Sequence, residues 1–316
     1  MKDVIVTRAE QIASDFLQEQ VKTSYPIIDK GFANHVCVVQ TTSHKVVVRM
    51  NDKGAYPTYM KEKWCIEQAA AVGVPGPEVI TIGMSDDTAY MIQSFVEGEN
   101  GLDSIAPRQH IWRQLGQYVR RIHSIPVQGY GENLIDTEQG EWSSPPHPGS
   151  DGSWLGYVQH NINKLTEDDP LIALSVLTPA ESQQVRNLFI QIKNETFQFG
   201  LVHGDLSLKN TMTNQDGQVT LIDWGNAAVN AVPHWNLIHL MQHQWIENGL
   251  NNEEFKAFID GYGIREEELV ISRQLLLLKA FDNLRWAIDK RPDLIDTFAA
   301  YAKQAVQLNR DHGLFS

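Results

Sequence analysis

The apolar residues of this chain change period near residue 98, and that change constrains the fold more than any other feature. Before it they come in short β-branched runs. Val36-Cys-Val-Val39 and Lys45-Val-Val-Val-Arg-Met50 read as two strands, joined by the polar segment Gln40 to His44 as in a hairpin. Two further strands are predicted at 78–83 and 89–95. A helix from about 8 to 21 precedes them, with Thr7 and Glu10 as a capping box and Ile12, Ala13 and Phe16 inward. A second helix, about 58 to 72, is stopped by Gly73 and Pro75. After Gly98 the pattern turns helical: Ile111, Leu115, Tyr118 and Ile122 recur at i, i+4, i+7 and i+11. Residues 139 to 153, rich in Gly, Pro and Ser, read as a long loop. Helices are predicted at 154–166, 179–195, 235–247, 252–261, 266–288 and 292–309, with a short β segment near 200 to 223. The expectation is an α+β chain with a β-rich N-terminal lobe, residues 1–96, and a mostly helical C-terminal lobe, residues 97–316.

Within that β segment lies the sharpest chemical signal. Leu201-Val-His-Gly-Asp-Leu-Ser-Leu-Lys-Asn210 contains HxDxxxxN, and Val219-Thr-Leu-Ile-Asp-Trp-Gly225 brings a strand to an Asp 18 residues after Asp205. Phosphoryl transfer needs a carboxylate to orient the attacking hydroxyl, and oxygen ligands for Mg²⁺ on the phosphates. Asp205 suits the first task, and Asn210 and Asp223 the second. Alternation along Val219–Ile222 puts Asp223 at the mouth of a strand, where Gly225 is expected to give the backbone freedom to turn. Asp and Asn are also common turn formers, so HxDxxxxN alone is a weak signal. Coupled to the strand-Asp-x-Gly element, it is a strong one.

The N-terminal lobe offers a matching surface. On the strand 45–50, Val47 and Arg49 share one face, and Val46, Val48 and Met50 the other. One face therefore presents an apolar roof for adenine and a cation for phosphate. On the following helix Glu62 falls on the inward stripe with Cys65, Ala69 and Val72, while Glu67 faces solvent. A buried Glu demands a cationic partner, and Arg49 is the natural one.

These paired elements resemble the catalytic and metal loops of the aminoglycoside phosphotransferase family, relatives of the protein kinases. The resemblance extends to Gly31-Phe-Ala-Asn34 as a nucleotide loop, Lys61–Glu67 with Gly73-Val-Pro-Gly-Pro77, Leu115-Gly116 with Arg121-Ile-His-Ser124, Gly129-Tyr-Gly131 and Gly261-Tyr-Gly263. It implies a two-lobed protein kinase-like fold, ATP or GTP as phosphate donor, and Mg²⁺. It also implies Asp205 as catalytic base, and Arg49 with Glu62 gripping the α- and β-phosphates. The nucleotide base would lie against the connector Gln93-Ser-Phe-Val96, with Ser94 and Val96 supplying contacts. Three features depart from the family pattern: Arg49 stands where Lys is usual, the loop has only Gly31, and Asn236 stands where an Asp is common.

The chain has 26 Lys plus Arg against 39 Asp plus Glu, a net charge of −13. Such a surface disfavours nucleic acid and anionic membranes and favours cationic partners. With the resemblance, it predicts a small cationic acceptor of the aminoglycoside-like aminocyclitol type. Asp282, Trp286 and Asp289, on one face of the late helix, are its candidate ligands. A solvated surface is the plainer reading of that face. Trp142, Trp154 and Trp235 are further candidates for lining an acceptor cleft. Kinases of sugars, choline or homoserine, and a nucleotide-binding regulator without turnover, are the alternatives. His239 and His243 have zinc-binding spacing but lack the Glu and Cys of a zinc site. Cys37 and Cys65 stand apart from any CxxC pair, which suits a reducing cytoplasm, and no apolar run is long enough for a signal peptide or membrane span.

Overall fold

A computed structural model of the chain describes residues 4–27, 35–246 and 249–313. It falls into two compact units, residues 1–125 with 207–227, and residues 126–206 with 228–316.

The first unit is built on a five-stranded antiparallel sheet, ordered Thr23–Pro26, His35–Gln40, Lys45–Asp52, Thr88–Ser94 and Val79–Ser85. Its central pairs set Cys37 against Val48 and Val48 against Ile92. The β-branched runs behave as their alternation demands. Val46, Val48 and Met50 join Cys37, Val39 and Ile92 in a core closed by the helix Val4–Leu17. Burial of each such side chain contributes about 1.5–3 kcal/mol. The helix Tyr56–Ala71 serves the sheet too, with Tyr59 packed with Ala89 and Met91.

The first helix corrects the sequence reading. It starts at Val4, so Thr7 lies inside it and cannot cap it, and Glu10 instead accepts a hydrogen bond from Ser24 Oγ at 2.5 Å. Its apolar stripe runs Val6, Ala9, Ala13 and Leu17, which leaves Phe16 on the margin and 43% exposed. Gln18, in the left-handed region at φ 53°, ends the helix short of residue 21. Capping boxes occur elsewhere, at Thr178 with Glu181 and at Asn251 with Glu254.

The same unit holds the helix Arg108–Ile122 and a small sheet ordered Val219–Leu221, Thr211–Thr213 and Glu99–Asn100. Tyr118 Oη donates to the Val219 carbonyl at 3.0 Å, and the Leu221 amide donates to Pro75 O at 2.9 Å. These two bonds fix the strand Val219–Leu221, two residues before Asp223.

The second unit is helical around two small β elements. Phe199–Val202 pairs antiparallel with Ala228–Ala231, and Gly131 bridges to Val229. Gln128–Gly129, Glu141–Ser143 and Asn133–Asp136 form the other sheet, and of these Glu141–Ser143 lies inside the stretch 139–153 read as a long loop. The core centres on the helix Glu266–Lys290, whose Leu275 to Leu278, Phe281 and Leu284 are fully buried. Asp169 and Arg285 form a buried ion pair at 2.6 Å against this helix.

Candidate active site

Strand alternation turns Arg49 away from the Val46–Val48–Met50 core and toward the helix Tyr56–Ala71, where Glu62 is 1% exposed. The guanidinium donates to both Glu62 oxygens, through Nη1 to Oε2 and through Nη2 to Oε1 at 3.2 Å. The same Nη2 donates to Asp223 Oδ1 at 3.1 Å. One cation thus holds a buried carboxylate on one side and a half-exposed one on the other. Burial disfavours the Arg49 charge, but Glu62 and Asp223 outweigh it and hold the pKa above the ordinary arginine value. Burial likewise pushes the Glu62 carboxyl up, against the pull of Arg49. Glu67 is exposed and pairs loosely with Lys63.

Asp223 has φ 63°, a left-handed backbone in a residue that bears a side chain. Such conformations cost about 1–3 kcal/mol and persist where neighbours over-determine them. Here the Ile222 amide donates to Asn210 O at 2.9 Å, locking the residue before Asp223 to the loop that carries Asn210. The turn is therefore made at Asp223 itself, which corrects the expectation that Gly225 supplies it. Gly225 serves another end: a Cβ there would lie 3.2 Å from Glu62 Oε1 and 3.7 Å from Asp223 Oδ1. A glycine lets the chain pass against the carboxylate pair.

Asn210 is buried, and the Asp223 side chain is 47% exposed. Together they offer one amide and one carboxylate oxygen, the donor chemistry that suits Mg²⁺, which keeps several waters and takes substrate phosphates. Among the described residues no group of three or more His, Cys, Asp and Glu could hold a metal. His239 and His243 stack in parallel with ring centroids 6.3 Å apart.

Of the other nucleotide candidates, Val47 is half-buried on the Arg49 face of its strand. Ser94 ends its strand, with its Oγ accepting from the Glu78 amide at 2.9 Å, and Val96 is half-buried just beyond it. Gly31 and its loop lie outside the described residues. Sequence reasoning passed over Lys61, whose Nζ donates to Ala227 O at 3.0 Å and ties the helix to the segment beyond Gly225.

In the second unit, Asp205 follows the strand Phe199–Val202. Its amide donates to His203 Nδ1 at 3.4 Å, and His203 is buried, which accords with a histidine that fixes the loop. Gly204 between them has φ 82°.

This unit also contains a cavity of about 440 Å³. Tyr130, Tyr157 and Trp235 give it aromatic walls, and Glu132, Lys279 and Asp282 bring charge. Tyr157 donates to Asp282 Oδ2 at 3.3 Å, and burial pushes its pKa well above the ordinary phenol value. Of the three acceptor candidates on the late helix, only Asp282 lines this cavity. Trp286 is 47% exposed and meets Phe298 edge-on, and Asp289 is exposed. Trp235 lines the cavity, whereas Trp142 and Trp154 are buried core residues. Lys279 was missed in the sequence. Its signal was a single cation directly after four consecutive leucines.

A model of the phosphotransferase enzyme family matches residues 24–270, and the chain belongs to that family. It is a small-molecule phosphotransferase with an alcohol group as acceptor. Solved structures with the same fold include aminoglycoside phosphotransferase APH(4)-Ia, at 17% identity and TM-score 0.67, covering 95% of this chain and 98% of that one. A spectinomycin phosphotransferase, APH(9)-Ia, in complex with ADP and spectinomycin, aligns at 15% identity and TM-score 0.55 over 95% and 94%. A putative fructosamine-3-kinase from Haemophilus somnus 129PT aligns at 11% identity and TM-score 0.59 over 95% and 97%. At such identities the likeness establishes the protein kinase-like α+β fold, with its β-rich N-terminal and helical C-terminal parts. No curated protein sequence matches the chain. No helix among the described residues is long and apolar enough to cross a membrane.

Proposed function

We propose that the protein transfers the γ-phosphate of ATP or GTP to a hydroxyl of a small, amine-bearing acceptor, with Mg²⁺ held by Asn210 and Asp223. Residues 1–96 supply the nucleotide contacts, and residues 97–316 the catalytic loop and the acceptor contacts. The observation that carries this reading is the Arg49 guanidinium donating to both Glu62 and Asp223. A buried cation fixed on two carboxylates, one of them beside an oxygen-donor loop, suits a nucleotide triphosphate with its metal.

In this reading Arg49 grips the α- and β-phosphates, held in orientation by Glu62. Val47 roofs the base, Ser94 and Val96 meet its edge, and Gly31 belongs to the loop over the phosphates. Bound Mg²⁺ supplies neutralisation of the charge on the phosphate oxygens. Asp205 accepts the proton of the acceptor hydroxyl. The acceptor oxygen bonds to the γ-phosphorus, the bond from that phosphorus to the β-bridging oxygen breaks, and the nucleoside diphosphate leaves. His203 holds Asp205 in place through its main-chain amide.

The acceptor is proposed to occupy the cavity of the second unit, where Glu132 and Asp282 favour a cationic nitrogen and the aromatic walls favour a ring face. The net charge of −13 supports a cationic acceptor, and aminoglycoside-like aminocyclitols are the class that the sequence suggests. The test is a panel of aminoglycosides, choline, homoserine, methylthioribose and simple sugars, each scored by ADP or GDP release at low and high salt. An amine-bearing acceptor with a KM that rises with salt is the expected result. Turnover of neutral sugars alone, without salt dependence, removes the cationic acceptor. No turnover with any nucleotide removes the phosphotransfer reading.

A further inference from the structure

One group in the cavity does not serve a cationic acceptor. Lys279 lines the wall in a stretch of otherwise apolar helix, Leu275 to Ala280. Its Nζ stands 5.5 Å from the centroid of the Trp235 ring, and it makes no hydrogen bond or ion pair with any described residue. Burial pushes its ammonium below the ordinary lysine value, with Asp282 pulling it back. Asp282, one turn along the same helix, is instead engaged by Tyr157.

Lys279 is half-buried, and an ammonium so placed without an ion pair loses part of its hydration, whereas an apolar side chain of equal length loses none. The arrangement is economical when a ligand brings the missing anion. Glu132 and Asp282 line the same cavity and suit an amine. A ligand meeting all three carries both charges.

We infer that the acceptor is a hydroxylated zwitterion, an amino acid or amino-sugar acid whose carboxylate is bound by Lys279 while its amine faces Glu132 and Asp282. This rests on the cavity being the acceptor site, and it narrows the acceptor from a polycation to a molecule with one carboxylate. A charge-assisted hydrogen bond of this kind contributes about 1.5–3 kcal/mol, equivalent to roughly 10- to 150-fold in affinity.

The test is calorimetric binding to the full chain, with two matched pairs of probes: homoserine against 3-amino-1-propanol, and muramic acid against glucosamine. Homoserine and 3-amino-1-propanol differ only in the carboxylate, muramic acid carries its carboxylate on a lactyl ether at the 3-position of glucosamine, and kanamycin serves as the polycation. The expected result is that the carboxylate member of at least one pair binds about tenfold or more tighter. Lys279→Met should abolish that preference and leave the carboxylate-free partner within about threefold, while Lys279→Arg retains it. Without ligand, Lys279→Met should melt at the same temperature or higher, because it removes a half-buried charge that makes no ion pair. The inference is overturned if the carboxylate-free probes or kanamycin bind as tightly as the zwitterions, if no zwitterion binds, or if Lys279→Met keeps the preference. A drop of several degrees in the melting temperature of Lys279→Met would make the lysine structural and overturn it equally. Failure here stays distinct from failure of the phosphotransfer reading. ATP-dependent turnover of glucosamine or kanamycin without zwitterion binding overturns the inference and leaves that reading intact, whereas zwitterion binding without turnover of any acceptor removes that reading and keeps Lys279 only as a carboxylate-binding residue.

Discussion

Arg49 Nη2 donates to Asp223 Oδ1 across 3.1 Å while the same guanidinium is clamped by Glu62. A strand, a helix and the loop after Leu221 are thereby joined through one side chain, and perturbing any member should be felt by the other two.

Arg49→Ala leaves the buried Glu62 carboxylate without its partner, and Glu62→Ala leaves Arg49 with the half-exposed Asp223 alone. Arg49→Ala and Glu62→Ala should each lose about 3–5 kcal/mol of stability, measured by urea denaturation. The double variant should cost clearly less than the sum, and additive losses would contradict a single coupled unit. Mg-ATP affinity should fall further in Arg49→Ala than in Glu62→Ala.

Gly225→Ala places a methyl 3.2 Å from Glu62 Oε1. The Arg49–Glu62–Asp223 arrangement must shift by a few tenths of an ångström to admit it. Nucleotide affinity should fall several-fold in calorimetry while the melting temperature changes little. An unchanged affinity would show that this close approach is dispensable.

Asp223→Asn keeps the side-chain shape, and Asn tolerates the left-handed backbone at φ 63°. The fold should survive, by circular dichroism and melting temperature. Mg-dependent nucleotide binding should be lost, because a neutral amide oxygen replaces a carboxylate at the metal. Retained activity at ordinary Mg²⁺ concentration speaks against the metal role.

His234 is buried, and burial lowers its pKa; its Nδ1 lies 3.0 Å from Ser272 Oγ. A histidine depressed in the folded state is protonated more readily after unfolding. Its contribution is therefore present above the unfolded value of about 6.5 and is lost as pH falls from there through the folded value. Melting temperatures between pH 7.5 and 5.5 should fall less steeply in His234→Gln than in the parent chain. Parallel slopes would assign the acid sensitivity to other groups.

Much of this geometry was legible beforehand because it follows from short-range periodicity. Period two on the strand 45–50 put Arg49 opposite Val48, and period 3.6 on the next helix put Glu62 inward, so their meeting needed only the two elements to pack. The role of Gly225 was not legible, since it depends on how near Glu62 comes from 163 residues earlier in the chain. Lys279 was hidden for the same reason: the tyrosines and Glu132 that share its cavity arrive from distant segments. Asp282, Trp286 and Asp289 do share one helix face, but an i to i+7 step advances about 10 Å along the axis. The cavity wall takes Lys279 and Asp282, one turn apart, and leaves the other two in solvent.

The central claim is that Asp205 orients and deprotonates the acceptor hydroxyl while the nucleotide is held by other residues. Its most direct test pairs two measurements on Asp205→Asn: kcat by nucleoside diphosphate release with the best acceptor of the panel, and Mg-ATP affinity by calorimetry. The account predicts that kcat falls by about two to three orders of magnitude, the range for a positioned base, and that the nucleotide Kd stays within about twofold. Near-normal kcat in Asp205→Asn, or loss of Mg-ATP binding in step with activity, would contradict it.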